Sequence, residues 1–249
     1  MKTLCYTLRA GAHLARALDR LDVLEDRLFS PRARFAVPFA FEGKGIFKSI
    51  KPRHNPIEIE NLYDAVCQLR PRRALEIGTA KGGSLYLWCQ AAADNATLVS
   101  VDLPGGDFGG GYDQRRVPLY QRFAKKAQTL HLLRADSHQP ESLVQVKSLF
   151  GNQPIDFAFI DGDHTYEGVK QDFEEYGPLV RPGGLIAFHD TQPRPPEANI
   201  QVDRFWNEIK DQHESQEFVG PEGSGRKIGI GLIRVGETGV QPMTRQKIA

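Results

Sequence analysis

The chain has 249 residues, 40% of them hydrophobic, with a formal net charge of +1. That is enough apolar material for one large core, and no basic excess to neutralise a nucleic-acid backbone, so small molecules come before nucleic acids as partners. Cys5, Cys67 and Cys89 are widely spaced and form no C-x-x-C pair, which argues against a disulfide framework or a Cys-rich zinc site and fits a reducing compartment.

Residues 2 to 29 carry Leu4, Leu8, Leu14, Leu18, Leu21, Leu24 and Leu28 mostly at steps of three and four, predicting an amphipathic helix that Pro31 stops. Its polar face mixes both charge signs, which favours an arm packed on its own domain, or on a twin subunit in a homodimer, over a membrane-surface helix. No stretch is long enough for a membrane span, and Arg9, His13 and Arg16 interrupt any signal-peptide core, so the expected location is cytoplasmic. Arg32 to Pro56 reads as irregular, a linker or a cover over a ligand; Phe35, Phe39, Phe41 and Phe47 are too many aromatics for a free linker and predict a packed segment.

From Pro56, Ile59, Leu62, Val66 and Leu69 give a helical face that Pro71 ends. Short apolar strands then alternate with helices, the pattern of a doubly wound parallel sheet. Strand Ala74 to Ile77 runs into a turn in which Gly78 removes the Cβ that blocks a sharp exit, while Gly82 and Gly83 admit a ligand close to the backbone. Ser84 is placed to cap the helix Ser84 to Ala93, whose free N–H groups favour polar or anionic ligand groups. Thr79, Ala80 and Lys81 follow Gly78, so the middle glycine of a dinucleotide fingerprint is missing and NAD is disfavoured. Strand Thr97 to Val101 ends at Asp102, where an acid can accept from both ribose hydroxyls; the alternative is an acid that caps a loop.

Leu103 to Val117 holds five glycines in a run too long for a simple connector, a lid or binding loop or else a surface excursion. A helix is expected over Leu119 to Ala127, a strand over Leu130 to Arg134 leading to Asp136 and Ser137, and a helix over Leu143 to Phe150. Strand Ile155 to Ile160 delivers Asp161, Asp163 and His164; helix Glu167 to Tyr176 and a Pro182-Gly183-Gly184 turn precede strand Leu185 to Phe188, which delivers His189 and Asp190. Acids and imidazoles at the carboxyl ends of neighbouring strands are what a divalent metal site requires. Helix Val202 to Lys210 should pack Phe205 and Trp206 on the sheet or floor an acceptor pocket. Glu217 to Val219 and Ile228 to Val235 read as an antiparallel pair joined by the turn PEGSGRK, and 241–249 as a frayed polar tail.

The runs LEIGTAKGGS and FIDGDHTYEGVKQDFEEYGPLVRPGGLIAFHDT closely resemble class I S-adenosyl-L-methionine (SAM) methyltransferases, of the families related to cephalosporin hydroxylase-type and macrolide sugar O-methyltransferases. The resemblance covers Pro56 to Val235. It implies a Rossmann-like, doubly wound, seven-stranded α/β domain over 56–240, preceded by an arm and covering segment over 1–55. It also implies SAM as cofactor, with Glu76, Gly78, Thr79 and Ser84 at its methionine end, Asp102 at its ribose, and Asp136 with Ser137 beside its adenine. A metal, magnesium or manganese, would be held by Asp161, His189 and Asp190, and His164 matches the base that deprotonates the substrate hydroxyl. His189 departs from the pattern where relatives often place a carboxylate, so either the metal is softer than magnesium or His189 has another role, such as base. The activity expected is metal-assisted O-methylation of a small molecule or sugar. The alternatives are a SAM-binding module without catalysis, and a nicotinamide oxidoreductase, which the missing glycine opposes.

Overall fold

The computed structural model describes residues 2–26, 30–108, 110–223 and 227–240. The expected polar tail, Leu28, part of the PEGSGRK turn, and the side chains of Leu4 and Leu8 lie outside the described residues. Four helices come first: α1 (Lys2–Glu25), α2 (Pro31–Phe35), α3 (Val37–Ala40) and α4 (Pro56–Leu69). The alternating part follows as β1 (Arg73–Ile77), α5 (Gly83–Ala91), β2 (Thr97–Val101), α6 (Val117–Gln121), β3 (Thr129–Leu133), α7 (Pro140–Leu149), β4 (Ile155–Ile160), α8 (Tyr166–Tyr176) and β5 (Val180–His189). The chain closes with α9 (Val202–Ile209), β6 (Glu214–Phe218) and β7 (Ile230–Arg234).

The seven strands are ordered β3-β2-β1-β4-β5-β7-β6, with β7 antiparallel to both neighbours and the first five parallel. Period-two alternation sends successive side chains to opposite faces. Along β4, Phe157 and Phe159 enter a cluster with Leu62 and Val66 of α4 and Leu85 of α5. Ala158 and Ile160 enter the opposite cluster, with Val146 of α7, Phe173 of α8 and Trp206 of α9. The result is a sheet between two helical layers, the doubly wound architecture expected. Phe205 and Trp206 belong to this packing, and Trp206 lies against Gly231 of β7, where an added Cβ would come within 2.7 Å of its ring.

The arm packs on its own domain: Ala17 and Leu21 are fully buried in the first cluster, with Leu14, Leu18 and Leu24 against it, and Asp22 meets Arg122 at 2.5 Å. The segment after it is less irregular than its composition predicts. Ser30 accepts from the Ala33 amide and Pro31 takes the first helical position of α2, so the proline expected to stop the first helix instead opens the second, and α1 itself ends at Glu25. Phe41 and Phe47 are buried as expected, with Phe35 and Phe39 packed against the same core.

Other boundaries differ: α7 starts at Pro140, three residues before Leu143, and β6 runs Glu214–Phe218 where Glu217 to Val219 was expected. α6 is only five residues long because Gln128 pulls the chain away, donating to the carbonyls of Cys89 and Ala93 and accepting from the Lys125 amide. The Pro182-Gly183-Gly184 segment is an irregularity inside β5 rather than a turn before it; Gly183 takes a φ of +74° and its amide still donates to Val235. The residue capping α5 is Gly82, at φ +82°, with no side-chain cap, so Ser84 is free for another partner.

The strand order reverses between β1 and β4, and this switch point sets the site. Gly78 leaves β1 at φ +93°, and a Cβ there would stand 2.0 Å from the carbonyl oxygen of Asp161 at the end of β4. Gly78→Ala should therefore cost about 2–3 kcal/mol of folding stability, from the left-handed backbone and the backbone clash together. Urea denaturation measures this, and a loss well under 1 kcal/mol would mean that the strand ends are not held in this contact.

Candidate active site

Two lobes of one cleft open along the carboxyl edge of the sheet. The first is lined by Gly78, Asp102, Asp136 and Ser137, with Leu103, Gly106 and Phe108 of the glycine-rich run across it. The second is lined by Thr79, Ser84, His164, His189 and Asp190, with Lys51 to His54 of the covering segment on its other side. Ala80, Phe108 and Asp161 line both, so the lobes meet there.

Glu76 lines neither. It is buried beneath the turn, accepts from Trp88 Nε1 at 3.0 Å and Ser100 Oγ at 2.9 Å, and bonds Ser84. Burial pushes its carboxyl up to about 8, against the lowering effect of those hydroxyls. Ser100 also bonds Thr79, so the acid braces the turn from below.

In the first lobe, Asp102 Oδ2 accepts the Tyr112 amide at 3.1 Å, tying the glycine-rich run to the end of β2. Burial raises its pKa, with backbone N–H groups of Thr79, Tyr112, Gly111 and Ala80 acting the other way. Asp136 accepts the His138 amide at 2.9 Å and the Gln139 side chain at 3.0 Å.

His138, on the wall of that lobe, stands 3.3 Å from the fully buried Asp172 and is pushed up to about 9 by it; Asp136 and Asp163 act in the same direction. A raised histidine contributes stability that is present below its ordinary value near 6.5 and is lost as pH rises through the folded value. We expect about 1–2 kcal/mol to disappear between pH 7 and 9.5, after allowance for partial exposure, and His138→Gln to flatten that slope in pH-dependent urea denaturation. An identical slope in the variant would assign the effect elsewhere.

Where the lobes meet, two carboxylates and three imidazoles converge. Asp161 Oδ1 lies 2.7 Å from His189 Nδ1 and its Oδ2 accepts from His54 Nε2 at 3.1 Å. Asp190 Oδ2 lies 2.8 Å from His164 Nδ1 and 3.4 Å from His189 Nδ1, and its Oδ1 is 3.2 Å from Arg194 Nε. The His54 and His189 rings meet edge to face at 4.2 Å. Burial alone would raise Asp161, but the charge of His189 and His54 beside it holds the carboxyl far below its usual range. His189 is raised by Asp161 against its own burial, whereas burial and His189 lower His54. Asp190 sits at φ +62°, a left-handed conformation that aspartate tolerates better than most side chains and that recurs at functional sites.

The three ligands expected for a metal do not form one set. His54, Asp161 and His189 bring ligand atoms within 4.8 Å of one another, as do His164, His189 and Asp190; His189 is common, and the two aspartates fall in different sets. His54, Arg194 and Phe108 are members of the site that the sequence reading missed. His54 directly precedes Asn55, whose side chain caps α4 by accepting from the Ile57 amide, so the Asn-Pro helix start was the available signal that its position is fixed.

A seven-stranded sheet of this order with its cleft at the β1/β4 switch point defines the class I methyltransferase fold. Residues 75–191 match the family model described as a methyltransferase domain. Among solved structures, the chain is similar to the O-methyltransferase TomG of Streptomyces achromogenes, involved in tomaymycin synthesis and bound to SAM. That match has a TM-score of 0.52, 20% identity, and 71% and 78% coverage of the two chains. It is also similar to an O-methyltransferase of Bacillus cereus in complex with SAH (TM-score 0.51, 20% identity, 70% and 79% coverage). Residues 75–191 are thus similar to a methyltransferase domain, and the likeness to these solved structures shows the fold. An uncharacterized protein of Sinorhizobium fredii is 31% identical over 194 residues, 75% of this chain and 20% of that protein. One of Acanthamoeba polyphaga mimivirus is 31% identical over 118 residues, 47% of this chain and 51% of that protein. The chain thus spans between a fifth and about half the length of the curated relatives it matches.

Proposed function

We propose that the chain is a SAM-dependent O-methyltransferase, assisted by a divalent metal, that methylates a hydroxyl of a small molecule or sugar. The observation that carries this is the junction itself: the lobe lined by Asp102 and Asp136 and a second lobe meet at Asp161, and the imidazole–carboxylate cluster stands at the meeting point. Asp102 and Asp136, at the ends of the adjacent strands β2 and β3, offer carboxylates to ribose hydroxyls and an exocyclic amine, the acceptors an adenosine group needs. In this reading segment 1–55 serves as the acceptor-side cover, since Lys51 to His54 wall the second lobe.

Both nitrogens of His189 and Nδ1 of His54 are buried without an aligned hydrogen-bond partner, so the cluster fits an ion better than it satisfies itself. His54, Asp161 and His189 would hold it, and two imidazoles with one carboxylate suit manganese, iron or zinc better than magnesium. Bound SAM would supply an activated methyl group, and the metal a lowered hydroxyl pKa. The chain's own residues supply position and a proton acceptor. His164 Nδ1 faces Asp190, which fixes the ring so that Nε2, 3.5 Å from Asp161, is turned to the junction as the base for the acceptor hydroxyl. Arg194 holds Asp190 from behind.

The test is transfer of label from radiolabelled SAM to a panel of hydroxylated acceptors after chelation and readdition of metal. The expected outcome is SAH formation that EDTA abolishes and that manganese restores better than magnesium. Transfer that EDTA leaves intact would remove the metal from the reading, and would leave His164 or His189 acting alone as base.

A further inference from the structure

The second lobe is unevenly charged. Its two acids, Asp161 and Asp190, lie at the inner end, met by His54, His164, His189 and Arg194, whose side chain is only 8% exposed. The remaining charged residues of its lining are Lys51, Arg53 and Lys81, all exposed, and none forms a salt bridge with an acid among the described residues. In a chain of net charge +1, three uncompensated cations around one mouth are a local feature and not a reflection of composition.

The backbones carrying them are fixed to each other. One guanidinium nitrogen of Arg116 donates to Ser49 O at 2.7 Å and to Lys81 O at 3.2 Å, joining the covering segment to the turn after β1. Gly83 lets the two pack directly, since a Cβ there would stand 2.3 Å from Ile50 O and 2.5 Å from Pro52 Cδ. The cations are therefore presented from a preset frame, which spares an anion the cost of ordering it.

We infer that the acceptor carries an anionic group, a phosphate or a carboxylate, which Lys51, Arg53 and Lys81 hold at the mouth of the second lobe while its hydroxyl reaches the junction. The placement of the hydroxyl rests on the methyltransferase reading; the anion site does not. Charge-assisted hydrogen bonds of lysine and arginine to phosphate or carboxylate oxygens are strong and sum in a partly enclosed cleft.

The test is calorimetric titration of inorganic phosphate, and separately of acetate, into the full chain saturated with SAH. Saturable binding of at least one anion is expected, weakened about tenfold or more in the double variant Arg53→Gln/Lys81→Gln, with SAH affinity unchanged. Tighter phosphate assigns a phosphorylated acceptor, and tighter acetate a carboxylated one. Three results would overturn the inference: no saturable binding of either anion, binding the double variant leaves unchanged, or a loss of SAH affinity in that variant, which would assign the cations to the cofactor's own carboxylate. If SAH fails to bind the unmodified chain, the methyltransferase reading falls. The same titrations on SAH-free protein then decide the anion site alone.

Discussion

Asp161→Asn is expected to lower methyl transfer by about a hundredfold or more and to abolish stoichiometric manganese binding, while SAH affinity changes little. Asp161 is the one acid that lines both lobes, and its two oxygens are divided between His189 at 2.7 Å and His54 at 3.1 Å. Asparagine preserves the shape but removes the charge that raises His189 and that a metal would need as counter-ion. The protein should survive the change with a loss of roughly 1–3 kcal/mol, because the carboxylate's partners are left buried. Manganese titrated into SAH-saturated protein, together with single-turnover transfer, reads both effects. Unchanged turnover in the variant would remove Asp161 from the chemistry.

The second large effect is structural. Glu58 is fully buried in the first turn of α4, where its carboxylate accepts from the backbone amides of Gly220 at 2.9 Å, Gly229 at 3.0 Å and Ile228 at 3.3 Å. One side chain thus holds the connection between β6 and β7 against the helix that begins just after His54. Glu58→Ala leaves three buried donors without an acceptor and should cost about 3–5 kcal/mol by urea denaturation. Because Ile228 lines the second lobe, manganese and acceptor binding should weaken more than SAH binding. A loss below about 1 kcal/mol would mean that water or another group satisfies these amides as well.

These two acids also mark what could be read from sequence. The parallel strands were legible because each is a short apolar run closed by a polar residue, and the same runs placed Gly78, Asp102, Asp136, Asp161 and the His189-Asp190 pair at one edge. The chemistry contributed from outside that alternation was not legible. His54 reaches Asp161 across 107 positions and Glu58 reaches Gly229 across 171, and nothing local to either residue announces such a partner. Glu76 shows the opposite limit: its spacing from Gly78 was visible, but its direction was not, and it points under the turn to Trp88 and Ser100 instead of into the cleft. Ser84 was misread as a cap because Gly82, already left-handed, starts the helix without a side chain. The short α6 reflects tertiary hydrogen bonds from Gln128 overriding local helical pattern.

The most direct test of the account is calorimetric titration of SAH, and of NAD in parallel, into the full chain and into Asp102→Asn. One-site SAH binding is expected, weakened about tenfold or more by Asp102→Asn, with no binding of NAD. Absence of SAH binding, or binding of NAD in its place, would contradict the assignment of the first lobe to SAM and with it the proposed reaction.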